Sequence, residues 1–199
     1  NEKQQSIWIA QREGRAKDSN DRTQDSLLKM MNMSGNGSIA ENLAELNICP
    51  LSISYEYDPC DYLKAREFQQ KRDNPAHKKS PQDDLINMQT GVMGFKGRVV
   101  YRAAGNISSD ILKIGAESND KSEVYHRTAE LIDKHIHADY EIYNVNKIAH
   151  DLLTGENRFA KDYDLLEKLD FEKYLEKQIM KIDLNDKDEN FLRRKMLEM

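Results

Sequence analysis

The sequence predicts an α/β fold, in which a largely parallel sheet is flanked by helices, followed by a helical C-terminal extension. Over residues 1–117, short runs rich in β-branched and apolar residues alternate with amphipathic stretches, as in proteins that pack helices on a sheet. After residue 118, proline is absent and glycine rare, and apolar residues recur with the helical period. We therefore place an α/β domain at residues 1–117 and a helical extension at residues 118–199.

The first predicted elements alternate between strand and helix. Ile7 to Ala10 is a short apolar run that predicts a buried strand. Residues 23–33 then carry leucines and methionines at the spacing of a helix. Ser38 and Glu41 form an S-x-x-E capping box, which predicts that a second helix follows.

The next elements repeat this order. Residues 47–57, "NICPLSISYEY", alternate apolar and small polar side chains and form the clearest strand pattern in the chain. Two helices are predicted after the N-caps Asp58 and Ser80, each of which precedes a proline. Residues 96–104 predict a third strand. The order of strand, two helices, strand, two helices and strand is the basis for the predicted α/β layer.

The C-terminal part predicts only helices. Residues 122–140 place five side chains on one stripe of an amphipathic helix. These are Tyr125, Ala129, Ile132, Ile136 and Tyr140. Further helical patterns cover residues 146–155, 163–182 and 189–199.

Composition limits the classes of function. Charged residues make up 33% of the chain and the formal net charge is -5, so nucleic-acid binding is not expected and any anion site must be local. Two cysteines, Cys49 and Cys60, are interpreted as reduced thiols of a cytosolic protein, with a disulfide as the alternative. No apolar run reaches the length of a membrane span.

A basic segment follows the first predicted strand and is the main candidate site. Arg12 and Arg15 flank the pair Glu13 and Gly14, and Lys17 follows. Arginine presents a planar fork of donors that fits a phosphate, and glycine lets a backbone approach a ligand closely. The residues themselves leave a second interpretation open, which is an exposed charged turn.

This segment resembles the third motif of the glycerolipid acyltransferase family, which includes the lysophosphatidic acid acyltransferases. That motif is a buried strand that ends in F-P-E-G-T-R-S. Glu13 and Gly14 match its Glu-Gly pair, and Arg15 matches its arginine if one residue is deleted. Lys17 and Asp18 continue the charged pattern behind it.

The strand pattern of residues 47–57 is similar to the family's fourth motif, an apolar strand with an early proline, which Pro50 matches. The resemblance covers roughly residues 6–104. Arg12 stands at the motif's proline, and the threonine is missing. None of the five histidines begins the family's H-x-x-x-x-D motif. We expect that motif upstream of residue 1, and we expect these 199 residues alone to be inactive.

The resemblance implies an O-acyltransferase that moves a fatty acyl group to the hydroxyl of a glycerophosphate-type or other polar lipid acceptor. The donor is an acyl thioester on an acyl-carrier protein or coenzyme A, and no cofactor or metal is expected. By resemblance, Arg15 holds the acceptor phosphate and Glu13 orients the site, with Arg12 or Lys17 as helpers. The implied location is cytoplasmic, with peripheral contact at the inner face of the membrane. The alternative is a non-enzymatic anion- or lipid-binding or scaffold protein on the same α/β layer.

Three further patterns each have a simpler interpretation. A basic cluster at residues 71–79 suits anionic lipid headgroups, or a solvated loop. His135 and His137 suggest a metal site, but residues two apart on a helix point to different faces, which favours solvated positions. Trp8 is interpreted as a core residue of the first strand.

Overall fold

The computed structural model describes residues 5–12, 20 and 22–199. Of the described residues, 56% are helical and 5% lie in strands. In chain order the elements are α1 (Asp25–Asn32), α2 (Ile39–Glu45), β1 (Leu51–Tyr55), α3 (Asp61–Asp73), α4 (Pro81–Met93), β2 (Val99–Ala103), α5 (Ser108–Glu117), α6 (Lys121–Ala138), α7 (Asn144–Thr154), α8 (Leu165–Met180) and α9 (Glu189–Leu197). The predicted α/β fold with a largely parallel sheet flanked by helices is therefore wrong.

β1 and β2 form a two-stranded antiparallel sheet. The amide of Ala104 donates to the carbonyl of Pro50 at 2.8 Å, and the amide of Glu56 donates to the carbonyl of Arg98 at 2.9 Å. A parallel pair arises most simply from one crossover helix between its strands. Here two helices lie between β1 and β2, and the chain re-enters the sheet in the opposite direction.

The first predicted strand is also wrong. Residues 5–10 have no regular secondary structure, and Ile7 and Trp8 are 79% and 77% exposed. A short apolar run becomes a strand only where a neighbouring strand takes up its backbone hydrogen bonds, and β1 and β2 pair with each other. Trp8 is consequently not a core residue, contrary to the prediction.

The described chain divides into two compact units that are interleaved in sequence. The first unit consists of residues 1–53 and 100–140, and the second of residues 54–99 and 141–199. The chain passes from one unit to the other within β1 and again within β2. Each unit therefore combines residues from both sides of position 118.

The first unit is built on α1, α2, α5 and α6. Its core contains Leu28, Leu43, Ile107 and Ile111, which are almost fully buried. The predicted stripe of α6 packs against this core through Tyr125, Ala129, Ile132 and Ile136. Tyr140 lies beyond the end of α6 and is partly exposed.

The second unit is built on α3, α4, α7, α8 and α9. α3 packs against α8 and α9, and α7 packs against the same two helices. Most of the buried apolar side chains come from α3, α7, α8 and α9. They include Leu63, Ala65, Phe171, Leu175, Ile179, Leu192 and Met196.

Helix boundaries follow local sequence rules in most places. The predicted capping box of Ser38 with Glu41 forms on α2, and the predicted N-cap Ser80 forms a reciprocal capping box with Asp83 on α4. Gly155 ends α7 with a φ of 73°, a left-handed conformation that glycine adopts without strain. Asp58 is not the cap of α3, which begins at Asp61, because its carboxylate accepts from the amide of Cys60 instead. The sequence patterns assign no element to α5.

Candidate functional site

The predicted site residues fall partly outside the described structure. Glu13, Gly14, Arg15 and Lys17 are not among the described residues. Arg12 is described and is half-buried, after an exposed stretch rather than at the end of a strand. The segment was expected at the carboxyl edge of a parallel sheet, and the described residues form no such sheet.

Hydrogen bonds within the first unit fix described residues before and after the basic segment. The amide of Gln24 donates to the carbonyl of Gln11 at 3.0 Å. The amide and the hydroxyl of Thr23 both donate to Oδ1 of Asp133 on α6, at 2.9 Å and 2.6 Å. We call these four residues, Gln11, Thr23, Gln24 and Asp133, the base clamp.

Sequence reasoning did not identify the base clamp. Thr23 is a plain helix-flanking residue in the sequence, and Asp133 is one of several acidic residues on α6. The two are separated by more than a hundred positions, and only the packing of α1 against α6 brings them together.

Pro50 also belongs to the first unit. It is buried, lies directly before β1, and its carbonyl accepts the hydrogen bond from Ala104 that ends the sheet. A proline has no amide hydrogen to donate, so its position at the start of a strand is physically reasonable. The structure thus assigns Pro50 a role in the strand pair.

A buried carboxyl in the second unit is a second feature that the sequence did not reveal. Asp61, at the first position of α3, is 5% exposed. Its Oδ2 accepts from the hydroxyl of Tyr174 at 2.6 Å, and its Oδ1 accepts from Nε2 of Gln178 at 2.8 Å. The ring of Tyr174 lies 4.5 Å from that of Tyr57, so aromatic side chains help to exclude water.

Burial raises the pKa of the Asp61 carboxyl to about 6, although its hydrogen bonds from Tyr174, the Tyr62 amide and Gln178 act in the opposite direction. Burial and the adjacent Asp61 carboxyl also raise the pKa of the Tyr174 hydroxyl. Asp61 can therefore exchange a proton near neutral pH. Its oxygens are engaged by α8, which makes it a structural contact between α3 and α8 rather than an accessible base.

A second buried carboxylate, Asp151 on α7, organises the loop that follows. Its Oδ2 accepts from the amide of Phe159 at 3.0 Å and from the hydroxyl of Tyr163 at 2.9 Å. Burial raises the pKa of Asp151, but the hydrogen bonds from Tyr163 and Phe159 outweigh it and keep the pKa below its ordinary value. The Asp151 carboxylate therefore holds the loop after α7 in place, and its oxygens are already engaged as hydrogen-bond acceptors.

The basic cluster at residues 71–79 is largely engaged within the protein. Lys71 and Lys79 form ion pairs with the buried carboxylate of Glu67, at 2.7 Å and 2.6 Å. Arg72 pairs with Asp73 and, across to the segment before α9, with Asp188, both at 2.7 Å. These contacts favour a structural use of the cluster over its use as a headgroup site.

An open groove of about 240 Å³ lies beside this cluster. Gln69 forms part of its wall, and its Nε2 donates to the carbonyl of Asp186 at 2.7 Å. The Oε1 of Gln69 accepts from the amide of Asp188 at 3.1 Å. The polar groups of Gln69 thus connect α3 to the segment before α9.

Neither a metal site nor a membrane span is evident in the described ranges. Within them, no group of three or more His, Cys, Asp or Glu side chains is arranged to hold a metal ion. Over the same residues, every helix is too short or too polar to cross a bilayer.

Comparisons with known proteins leave the chain without an assigned family. No protein-family model, curated protein or solved structure matches it.

Proposed function

We propose that this chain carries the acceptor-binding part of an O-acyltransferase of the glycerolipid type. Such an enzyme moves a fatty acyl group from an acyl thioester to the hydroxyl of a glycerophosphate-type or other polar lipid acceptor. The observation that carries the proposal is the basic segment itself, in which Arg12 and Arg15 flank Glu13 and Gly14. The proposal does not depend on the α/β fold, which the chain does not have.

Each residue of the segment has a physical role in this proposal. Arg15 binds the acceptor phosphate through paired N–H donors, and Glu13 orients an arginine by accepting from it. Gly14 permits a close backbone approach, and Arg12 and Lys17 add positive charge. A phosphate held in this way places the acceptor hydroxyl next to the acyl thioester, which lowers the barrier by proximity.

The proposal assigns binding to these residues and leaves proton abstraction unassigned. In the family, a His–Asp pair takes the proton from the acceptor hydroxyl, because imidazole titrates near neutral pH. No histidine of the 199 residues is followed by aspartate at the spacing of that motif. We therefore expect no acyl transfer by these residues alone.

Substitution of Arg15 tests the proposal. In the full-length protein, Arg15→Ala should weaken use of the acceptor by about ten- to a hundredfold, as expected for one lost charge-assisted contact. Arg15→Lys should recover only part, because a point charge replaces a planar fork. Steady-state kinetics that vary acceptor and donor separately measure this effect, and the donor constant should change little. Arg158→Ala, which removes an exposed arginine from the second unit, is the control.

An unchanged acceptor constant in Arg15→Ala would show that the basic segment is only a charged turn. The alternative is a non-enzymatic anion-binding protein, which a full-length sequence without H-x-x-x-x-D upstream of residue 1 would favour. That alternative predicts that the full-length protein binds glycerol 3-phosphate through Arg15 but transfers no acyl group. Measuring both glycerol 3-phosphate binding and acyl transfer on one preparation of the full-length protein therefore distinguishes the two functions.

We further propose that the protein lies peripherally on the cytoplasmic face of the membrane. Ile7 and Trp8 are largely exposed and precede the cations of the basic segment. Indole is favoured at the boundary between headgroups and acyl chains, and anionic lipids attract nearby lysines and arginines.

Trp8 is the only tryptophan, so its fluorescence reports on this contact directly. Its emission should shift to shorter wavelength with phosphatidylglycerol vesicles and much less with phosphatidylcholine vesicles. Trp8→Ala should reduce co-sedimentation with the anionic vesicles, whereas Met180→Ala, at an exposed apolar site in the second unit, should not. Equal sedimentation of all three proteins would contradict the membrane contact.

A further inference from the structure

Helix α4 turns a polar side toward the rest of the second unit. Within α4, all of whose residues are described, only Asn87 is buried. Its carbonyl accepts a hydrogen bond from the thiol of Cys60 at 3.4 Å. Asp83, one turn earlier, forms an ion pair with Arg66 of α3 at 2.8 Å. Polar groups therefore hold this helix on its own unit.

The opposite side of α4 is apolar and exposed. Leu85, Met88 and Val92 follow one another at the three- and four-residue spacing that places side chains on one side of a helix. Met93 is next to Val92, and Phe95 follows directly after the helix. These five side chains are between 57% and 79% exposed. We call Leu85, Met88, Val92, Met93 and Phe95 the α4 face.

The polarity of α4 is the reverse of that of an ordinary surface helix, whose apolar stripe faces the core. If a side chain of this size offers about 200 Å² when fully exposed, the α4 face exposes on the order of 700 Å² of apolar surface. A typical monomer exposes roughly 300–600 Å² in its largest apolar patch. The area is close to the roughly 800 Å² that each partner contributes to a standard protein–protein interface.

We propose that the α4 face is the interface of a two-fold symmetric homodimer, in which α4 packs antiparallel against α4 of a second copy. The apolar residues are self-complementary in this arrangement. With Met88 close to the two-fold axis, Leu85 of each copy lies opposite Val92 of the other. The interface consists of described residues of the second unit and does not depend on the basic segment.

Charges at the two ends of α4 favour a second copy as the occupant. Asp84 lies in the first turn and is exposed. Lys96 lies just after the helix, where its Nζ donates to the carbonyls of Val92 and Gly94, both at 3.0 Å. In an antiparallel pair, Asp84 of each copy is within reach of Lys96 of the other, so each attraction occurs twice. A parallel pair would bring like charges together.

Other occupants fit these residues less well. An anionic membrane surface attracts lysines and arginines, and at one end of the α4 face it would meet the carboxylate of Asp84. An unrelated protein would need its own matching charges, whereas a second copy supplies them by symmetry. The second copy therefore accounts for both the apolar area and the placement of the charges.

Sedimentation equilibrium of the full-length protein measures this association. The native protein should dimerise at about micromolar concentrations. Met88→Glu should raise the dimer dissociation constant by about a hundredfold or more, because two unpaired carboxylates would then meet at the axis. Met180→Glu is the matched control, since Met180 is 72% exposed in the same unit but lies outside α4. It should leave the dissociation constant unchanged.

Two charge reversals test the antiparallel arrangement. Asp84→Lys and Lys96→Asp should each weaken self-association by about tenfold, because like charges then face each other at both ends of the interface. Mixed in equal amounts, the two variants should form a heterodimer about as tight as the native dimer, since both charge pairs are restored. Recovery on mixing would also show that both variants still fold.

Several results would overturn the proposal. One is a native protein that stays monomeric at about 100 μM, and another is a dimer that Met88→Glu leaves intact, because its contact would lie elsewhere. Failure of the charge-reversed variants to recover on mixing would exclude the antiparallel pairing. If the native protein is monomeric and Met88→Glu lowers its co-sedimentation with phosphatidylcholine vesicles, lipid covers the α4 face instead of a second copy.

Discussion

At the scale of single residues, Asp61 shows how burial changes the chemistry of an ordinary side chain. Its folded-state pKa is about 6, above the ordinary value of 3.8, so the folded state binds the proton more tightly than the unfolded chain. The resulting stabilisation is complete below about pH 3.8 and is lost as the pH rises through about 6. Such a shift corresponds to about 3 kcal/mol at most.

We expect Asp61→Asn to flatten the pH dependence of stability. The native chain should lose unfolding free energy between about pH 4 and about pH 7, and in the variant most of this loss should disappear, because the amide does not ionise. Urea denaturation at both pH values measures it. Asp183→Asn, at an exposed position of the same unit, should leave the native profile intact. An Asp61→Asn profile parallel to the native one would show that this carboxyl titrates normally.

The sequence could not have predicted this behaviour of Asp61. In sequence it is an acidic residue in the first turn of a helix, a position where carboxylates usually face solvent. Its hydrogen-bond partners Tyr174 and Gln178 lie on α8, more than a hundred positions away. The packing of α3 against α8 buries the carboxyl and thereby sets its pKa.

At the scale of elements, α2 and α5 approach each other closely at Gly115. A Cβ built on Gly115 would lie 2.3 Å from the Cβ of Ala40. We expect Gly115→Ala to lower the unfolding free energy by about 1–3 kcal/mol through overpacking, even though alanine favours a helix over glycine by roughly 1 kcal/mol. Thermal or urea denaturation measures the change.

The double variant Gly115→Ala with Ala40→Gly tests the cause, because it removes the methyl group that the new side chain meets. It should recover the overpacking cost, so that the two substitutions are strongly non-additive. Gly105→Ala is the control, since a Cβ at Gly105 has nothing within 4 Å. A neutral or stabilising Gly115→Ala would contradict the described packing of α2 on α5.

Several predictions about elements with local causes were confirmed, although the predicted cap Asp58 was wrong. The capping boxes at Ser38 and Ser80 and the glycine stop at Gly155 depend on side chains and backbone within a few residues. Two of three predicted strands also formed, within residues 47–57 and 96–104. The third, at Ile7 to Ala10, did not, because a strand needs a partner that the sequence pattern does not specify.

At the scale of the whole molecule, the interleaving of the two units has a testable consequence. A cut between residues 117 and 118 separates α6 from the helices of the first unit that it contacts, α1, α2 and α5. The same cut separates α3 from α8 and α9 in the second unit. Neither unit keeps its core within one fragment.

We therefore expect neither 1–117 nor 118–199 alone to unfold cooperatively. Circular dichroism against urea should show a sigmoidal transition for the intact chain and broad, shallow curves for each fragment, because isolated helices of this length are marginal in water. A mixture of equal amounts should regain part of the missing helicity if the fragments reassociate. A sharp transition in either fragment alone would instead support a domain boundary at that position.

The sequence by itself determined the local features of this protein. It predicted most helices, two strands, the caps Ser38 and Ser80 and a basic segment with an acyltransferase-like pattern, because these depend on neighbours along the chain. Tertiary structure alone decided the antiparallel direction of the strand pair and the exposure of Trp8. It also decided the raised pKa of the buried Asp61 carboxyl and the hydrogen bond between Thr23 and Asp133. Each of these depends on residues far apart in sequence, whose contact is set by which faces of the helices pack together.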